Sequence, residues 1–195
     1  MSHIVLRCPR CGRTRPADMS TDVCRDCGAP LDVEYLADHK TDGKSSTYEA
    51  RTPVHNASSG VSLGEGDTPC VHLKALGENL GMRRLHGKLE FLNPTGSFKD
   101  RGTAVMLSVA MDHGVTELVE DSSGNAGCAI AAYCARAGIG CEIFVPAQTS
   151  PAKLAQIELY GARLTRVPGS REDTARAVLA AAENHYYASH SWNPY

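Results

Sequence analysis

The chain has 195 residues, of which 42% are hydrophobic and 22% charged, enough for one good core or two small domains. Its formal net charge of −2 lacks the strong basic excess of a general nucleic-acid binder. No apolar run approaches the roughly 20 residues that span a bilayer, and the N-terminus lacks the apolar segment of a signal peptide. We therefore predict a globular cytoplasmic protein that binds neither nucleic acid nor membrane.

Four of the eight cysteines predict a metal site at the start of the chain. Cys8, Cys11, Cys24 and Cys27 form two C-x2-C pairs separated by twelve residues, and a glycine follows each pair. Such knuckles direct two thiolates each at one ion, and four thiolates favour tetrahedral zinc. Disulfides are the alternative, which a reducing cytosol disfavours. Because four thiolates leave no open coordination position, we predict a structural zinc ribbon over residues 1–36.

The rest of the N-terminal third of the chain gives weaker evidence of function. The first thirty residues hold five arginines and three aspartates but no aromatic residue for base stacking, which disfavours a nucleic-acid role. Residues 37–62 are predicted to be a linker, because their composition is polar and shows no sustained apolar period. The other four cysteines lie in apolar surroundings and are predicted to be buried: Cys70, Cys128, Cys134 and Cys141.

A single lysine follows a Gly/Ser turn in the run Asn-Pro-Thr-Gly-Ser-Phe-Lys-Asp-Arg-Gly, residues 93–102. An apolar helical pattern over 101–113 follows it. A partly desolvated lysine at a helix entrance loses its proton more readily than a surface one, as a carbonyl cofactor such as pyridoxal phosphate requires. We therefore predict Lys99 as a Schiff-base lysine; a solvated lysine in a turn is the alternative. We interpret Asp100 as the partner of an arginine.

A second loop of small residues predicts an anion site. Ser122, Ser123, Gly124 and Asn125 follow a short strand and open an Ala-rich helix. The free N–H groups and positive dipole of a helix N-terminus bind carboxylate or phosphate groups, and serine hydroxyls add hydrogen bonds. Ordinary capping by Ser or Asn is the alternative.

Beyond Lys99 the predicted elements alternate. They are a helix over 101–113, a strand at 117–119, a helix from 125, a strand at 141–145, a helix over 151–160, a strand at 163–167, a helix over 171–185 and a strand at 186–189. This alternation predicts an α/β fold in which helices flank a small parallel sheet. Ser170 and Asp173 are spaced like a capping box at the last helix.

The motifs GSFKDRG and SSGNAG, in this order, resemble those of the fold-type II pyridoxal-phosphate enzymes, and most closely the threonine synthases. LGEGDTP at 63–69 and SHSWNPY at 189–195 resemble flanking motifs of the same family. Some of its members also carry a zinc ribbon ahead of the enzyme. The resemblance implies that residues 63–114 belong to the large cofactor-binding domain, with Lys99, and that residues 115–195 form the small α/β domain.

The resemblance also implies roles for the site residues. Lys99 would bind pyridoxal 5'-phosphate covalently and then move protons as a free amine. Asn125 would hydrogen-bond the cofactor's ring hydroxyl, and Ser122, Ser123 and Gly124 would hold the carboxylate of an amino-acid substrate together with Asn125. The implied reaction is that of a carbon–oxygen lyase in threonine biosynthesis, conversion of O-phosphohomoserine to threonine and phosphate. Lys99, Arg101 and Lys153 are the cations near the motifs that are candidates for the phosphate site.

In this family the loop that binds the cofactor phosphate follows the part that matches here, so we expect an N-terminal half with weak cofactor retention and negligible turnover by itself. A homodimer is the family expectation. Two enzymatic alternatives remain, cysteate synthase and a serine or threonine dehydratase. A zinc ribbon joined to a non-catalytic α/β binding module is the third.

Overall fold

The computed structural model describes residues 4–18, 23–36, 53–54 and 56–195. Its N-terminal unit is a three-stranded antiparallel sheet of β1 (Ile4–Arg7), β2 (Thr14–Pro16) and β3 (Asp32–Tyr35), with β1 in the centre. Ile4, Leu6 and Leu31 form its small core together with Cys8 and Cys24. These residues thus form a small sheet with its own core, against which Tyr195 from the other end of the chain also packs, its hydroxyl donating to the Asp18 carbonyl (3.2 Å).

A short hairpin connects this unit to the larger body. It consists of β4 (Cys70–His72), α1 (Lys74–Asn79) and β5 (His86–Lys88), and the two strands pair antiparallel. All three residues of β4 are exposed, so the prediction of a buried cysteine is wrong for Cys70. Cys128 and Cys134 are buried in the helix Asn125–Ala137, as predicted, whereas Cys141 is only partly buried.

The body is a four-stranded parallel sheet in the order β8-β7-β6-β9. Its elements are α2 (Lys99–Asp112), β6 (Glu117–Glu120), α3 (Asn125–Ala137), β7 (Gly140–Pro146), α4 (Pro151–Leu159), β8 (Arg163–Val167), α5 (Arg171–Ala181) and β9 (Tyr186–Tyr187). Each predicted strand and helix of the body is present. The α/β fold with a small parallel sheet flanked by helices is thus confirmed.

Helices cover both faces of this sheet. On one face Ile143 and Val145 pack with Leu154 and Ile157 of α4 and with α3. On the other face neighbouring strand residues, among them Phe144, pack against Val178 of α5. This division follows from the two-residue period of a strand, which sends adjacent side chains to opposite faces. The helix α2 packs on the outer side of α3 in a further cluster around the fully buried Tyr133.

Several predicted boundaries differ from the structure, and two of the differences have a clear physical reason. The last helix ends at Ala181 instead of 185, because residues 182–185 turn and His185 Nδ1 donates to the Ala181 carbonyl (3.1 Å). The predicted linker also ends too late, since Val61 is 6% exposed and its N–H donates to Ser108 Oγ of α2 (2.8 Å). A single buried valine in a polar stretch gives no periodic signal. Residues 37–52 and 55 of that linker lie outside the described residues.

Candidate active site and metal centre

The four N-terminal cysteines converge on one point. Cys8, Cys11, Cys24 and Cys27 place their sulfur atoms within 4.8 Å of one another, and Sγ–Sγ distances are 3.4 Å for Cys8–Cys27 and 3.7 Å for Cys11–Cys24. Tetrahedral zinc with Zn–S bonds of about 2.3 Å needs sulfurs about 3.8 Å apart. A disulfide would need about 2.05 Å, so the four thiols are not paired covalently.

The backbone turns hold the sulfurs in this arrangement. Gly12 and Gly28 adopt positive φ angles of 74° and 67° and donate their N–H groups to the carbonyls of Cys8 and Cys24. The Cys11 amide donates to Cys8 Sγ (3.5 Å), which lowers the pKa of that thiol to about 6. The donor set and its spacing therefore fit a closed tetrathiolate metal site.

The turn that contains Lys99, residues 95–100, is held by hydrogen bonds to a buried carboxylate. Asp100 is 0% exposed and accepts hydrogen bonds from the Thr95 backbone N–H (2.7 Å) and the Thr95 hydroxyl. Burial raises the pKa of Asp100. The interpretation of Asp100 as the partner of an arginine is therefore wrong: its carboxylate closes the turn 95–100 and fixes Lys99 as the first residue of α2.

The arginine next to it binds a different acid. Arg101 donates from Nε and Nη2 to the two carboxylate oxygens of Glu90 (2.8 and 2.9 Å) and from Nη2 to Thr68 Oγ1 (3.2 Å). The hydrogen bonds from Arg101 lower the pKa of Glu90 to about 2. Because Thr68 belongs to LGEGDTP, this network joins that motif to the lysine turn. The Gly66 N–H donates to Asn93 Oδ1 (3.1 Å) and adds a second link.

The loop that precedes α3 carries an open helix N-terminus. Gly124 occupies the N-cap position of α3, and none of the described side chains caps that end. Ser122 and Ser123 are half-buried, whereas Gly124 and Asn125 are exposed. Ser122 Oγ accepts from the Gly124 N–H (3.3 Å), but the described residues form no side-chain cap on the helix itself, so the amides of its first turn suit an anion.

One cavity of about 300 Å³ lies at the starts of α2 and α3, and the residues of the Ser122–Asn125 loop are not among those that line it. Lys99, at the start of α2, and Ala126, which follows Asn125 in α3, both line it. Phe98 is 56% exposed at its rim, with Lys99 Nζ 5.2 Å from the ring centroid. Arg101 lines the same cavity, and the side chain of Lys153 lies outside the described residues. A ligand cavity of small-molecule size thus combines an amine, an aromatic ring and a nearby anion loop.

Among the residues of this cavity to which sequence reasoning gave no role is the titratable side chain of His190. Its imidazole lines the cavity, and Nδ1 lies 2.6 Å from Oε1 of Glu120, which is 0% exposed. The two residues are 70 positions apart and meet because β6 and β9 are neighbours in the sheet. Two sequence signals pointed to this position: His190 belongs to the SHSWNPY motif, and an acid and a histidine lie near the carboxyl ends of two predicted strands.

Fold and cavity together define an α/β protein in which a lysine amine lines a cavity next to the start of a helix without a side-chain cap. Residues 61–195 match the family model described as "Pyridoxal-phosphate dependent enzyme". The chain belongs to this family. The observed cavity fits such a cofactor, because it offers an amine for the carbonyl and has the volume of a small-ligand site.

Within this family, the chain is similar to several curated threonine synthases. The chain is 36% identical to threonine synthase of Methanocaldococcus jannaschii, over 98% of this chain and 50% of the relative. It is 33% identical to threonine synthase of Methanosarcina acetivorans, over 97% and 49%, and 39% identical to that of a Bacillus species, over 78% and 44%. The chain therefore spans about half the length of the curated relatives it matches.

A solved structure agrees with the fold. The crystal structure of a pyridoxal 5'-phosphate-dependent aspartate racemase has a TM-score of 0.54 and 32% identity, over 63% of this chain and 39% of that one. Among the described residues, no helix has the length and apolar character to cross a membrane.

Proposed function

We propose that this chain takes part in converting O-phosphohomoserine to threonine and phosphate, as a pyridoxal-phosphate-dependent lyase. The observation that carries the proposal is the position of Lys99, at a helix start in a cavity that the Ser122–Asn125 loop adjoins. The similarity to threonine synthases supports the choice of substrate. When bound, the cofactor supplies an electron sink for bond breaking next to the amino group.

The chain's own residues would bind the cofactor, transfer protons and hold the substrate. Lys99 Nζ would hold the cofactor covalently and, once released, carry a proton between neighbouring carbons of the substrate. Asn125 would donate a hydrogen bond to the cofactor's ring hydroxyl. Ser122, Ser123 and the amides at the start of α3 would hold the substrate carboxylate, because an uncapped helix end favours a negative charge.

Covalent trapping tests the role of Lys99 without turnover. The 195-residue chain is incubated with pyridoxal 5'-phosphate, reduced with borohydride and mapped by mass spectrometry. We expect the adduct on Lys99, and its loss in Lys99→Arg, whereas Lys74→Arg leaves it unchanged because Lys74 lies on exposed α1. An adduct spread equally over the surface lysines would contradict the proposal.

Substrate choice needs a separate assay on the native gene product. Phosphate release is measured with O-phosphohomoserine, and with O-phosphoserine plus sulfite. Release with the first substrate and formation of threonine support the proposal. Release only with the second would instead assign a cysteate synthase, and ammonia release from serine or threonine would assign a dehydratase.

We also propose that the N-terminal cysteine cluster holds one structural zinc ion. Its four sulfurs have the separation of a tetrathiolate site, and a unit this small needs a metal to support its core. Reduced thiols fit a cytoplasmic location. Metal analysis should find one zinc per chain, lost in Cys8→Ser but retained in Cys70→Ser, whose thiol is exposed outside the cluster. Equal zinc contents in both variants would refute the site.

A further inference from the structure

One tyrosine belongs to both the Lys99 cavity and the N-terminal ribbon. Tyr195 lines the cavity, and its side chain packs against the ribbon core, which includes Cys8 and Cys24 of the cysteine cluster. The Tyr195 hydroxyl also donates to the Asp18 carbonyl (3.2 Å), a contact between residues 177 positions apart. Part of the cavity wall is therefore packed directly against the unit that holds the four cysteines.

The turn 189–195 connects Tyr195 to the rest of the cavity wall. Ser189 Oγ accepts hydrogen bonds from the backbone N–H groups of Ser191 (3.3 Å) and Trp192 (3.1 Å). Asn193 Oδ1 accepts one from the Tyr195 N–H (2.9 Å). The residues of this turn that line the cavity are Ser189, His190, Asn193 and Tyr195. Because hydrogen bonds tie the turn together, a displacement of Tyr195 would also move its neighbours in the wall.

The ribbon surface that Tyr195 contacts depends on the cysteine cluster. The described core of the ribbon has seven buried residues, and two of them are Cys8 and Cys24. Domains below about 40 residues usually need a metal, disulfides or a partner to fold, and these cysteines form no disulfide. In such small units metal binding and folding are one equilibrium. The seat of Tyr195 should therefore form when the cluster binds its metal.

A second tyrosine of the ribbon provides a comparison. Tyr35, at the end of β3, is 44% exposed and is not among the residues that line the Lys99 cavity. Tyr195 instead reaches the ribbon core from outside the ribbon, with its ring in the apolar cluster and its hydroxyl on a backbone carbonyl. An aromatic ring with a bonded hydroxyl gives a contact both apolar area and a fixed direction.

We propose that Tyr195 is a positioning residue of the Lys99 cavity and that the metal-bound ribbon holds it in place. The two states are a folded ribbon with Tyr195 seated in its core and a metal-free ribbon that has released Tyr195. A cavity ligand binds the first state better, because its wall is already ordered. Binding of metal and of cavity ligand is then coupled by the same factor in both directions. The identity of the metal, zinc, rests on the zinc site proposed above.

The tryptophan of the turn reports the release of Tyr195 without cofactor or turnover. Trp192 is the single tryptophan of the chain and is 50% exposed. We expect removal of zinc with a chelator to shift its emission to longer wavelength, because a released turn exposes the indole further. Cys8→Ser should reproduce the shift, and Cys70→Ser should not. Unchanged Trp192 emission when the unmodified chain loses its zinc would overturn the inference.

The affinity for pyridoxal 5'-phosphate measures the coupling. Binding is followed by absorbance, with Lys99→Arg as the blank for attachment at other lysines. We expect removal of zinc to weaken binding about fivefold or more, within the usual range of coupling between two sites. Saturating pyridoxal 5'-phosphate should raise the affinity for zinc by the same factor. Equal cofactor affinities of the zinc-loaded and zinc-free chains would overturn the inference.

Variants of Tyr195 distinguish positioning from a general loss of stability. Tyr195→Ala should weaken cofactor binding as much as zinc removal does, and removing zinc from this variant should add little, because the link is already cut. Tyr195→Phe keeps the ring and should restore most of the affinity. The matched control Tyr35→Ala should leave the affinity and its dependence on zinc unchanged. Additive effects of Tyr195→Ala and zinc removal would contradict a shared link.

These measurements separate the inference from the proposals beside it. Bound zinc whose removal changes neither Trp192 emission nor cofactor affinity refutes only the link to the cavity. A chain that binds no zinc refutes the zinc site and the metal dependence, whereas weaker cofactor binding by Tyr195→Ala would still support Tyr195 as a positioning residue. A lack of phosphate release from O-phosphohomoserine refutes only the proposed reaction, because none of these readouts requires turnover.

Discussion

Replacing Gly127 with alanine tests whether the Ser122–Asn125 loop depends on close contact with the first turn of α3. The added Cβ would lie 1.9 Å from the Ser122 carbonyl oxygen and 3.2 Å from Ile157 Cδ1. Non-bonded heavy atoms normally stay about 3.5 Å apart, so the loop backbone must move by more than about 1 Å. Backbone cannot rotate away as the end of a side chain can.

The size of the effect follows from two opposing contributions. Overpacking of this kind costs about 1–3 kcal/mol, whereas Gly→Ala inside a helix contributes up to about 1 kcal/mol of stability. We expect Gly127→Ala to lower the free energy of unfolding by about 1–2 kcal/mol. For a chain of this length the melting temperature should fall by roughly 2 to 8 °C.

Urea unfolding followed by circular dichroism measures the change in stability. The urea concentration at the midpoint should decrease in Gly127→Ala, whereas the slope of the free energy of unfolding against urea concentration should stay constant. The matched control is Gly102→Ala in the first turns of α2, where an added Cβ meets nothing within 4 Å. That variant should gain up to about 1 kcal/mol. If Gly127→Ala proved as stable as Gly102→Ala, the Ser122 carbonyl would not contact Gly127 as described, and the reasoning would be refuted.

Three further changes test two contacts of the LGEGDTP motif and its neighbours and one helix cap. Tyr133→Phe removes a buried hydroxyl that donates to Glu65 Oε2 (2.7 Å) and should cost about 2 kcal/mol, because the lost bond is to a charged group. Glu90→Gln should lower the free energy of unfolding at neutral pH. The pKa of Glu90 is about 2 in the folded chain and 4.5 for an ordinary Glu, so the ionised side chain stabilises the fold above pH 4.5. The difference in free energy of unfolding between the variant and the unmodified chain should therefore vanish as the pH falls from 4.5 toward 2. Ser170→Ala should cost about 1 kcal/mol of helix stability, because its hydroxyl caps α5. Urea midpoints, measured against pH for the second, check all three.

Each of these changes has a control in the chain. Tyr160→Phe removes a hydroxyl that accepts only from a neutral amide (3.2 Å) and should cost about 1 kcal/mol or less. Glu78→Gln removes an exposed ion pair at 4.0 Å and should leave the pH dependence of stability unchanged. Thr149→Ala removes a hydroxyl outside the α5 cap. Equal costs for a variant and its control would contradict the assigned contact.

Local patterns predicted most of the fold. The alternation of strands and helices, the capping box of α5 and the knuckle spacing of the cysteines all depend on residues close in sequence. Lys99 was predicted from its turn for the same reason, and the structure places it at the start of α2 beside a cavity. Its chemical role and that of Ser122–Asn125 remain predictions.

The partners of the charged residues required the tertiary structure. Asp100 binds Thr95 instead of an arginine, Arg101 binds Glu90, and Glu120 meets His190 across 70 positions of sequence. Such pairs depend on which strands are neighbours and on which side chains lose their water, and neither follows from local spacing. Sequence alone thus located the lysine at the start of α2 and the loop before α3, whereas packing of the sheet determined the cations and buried acids around the lysine.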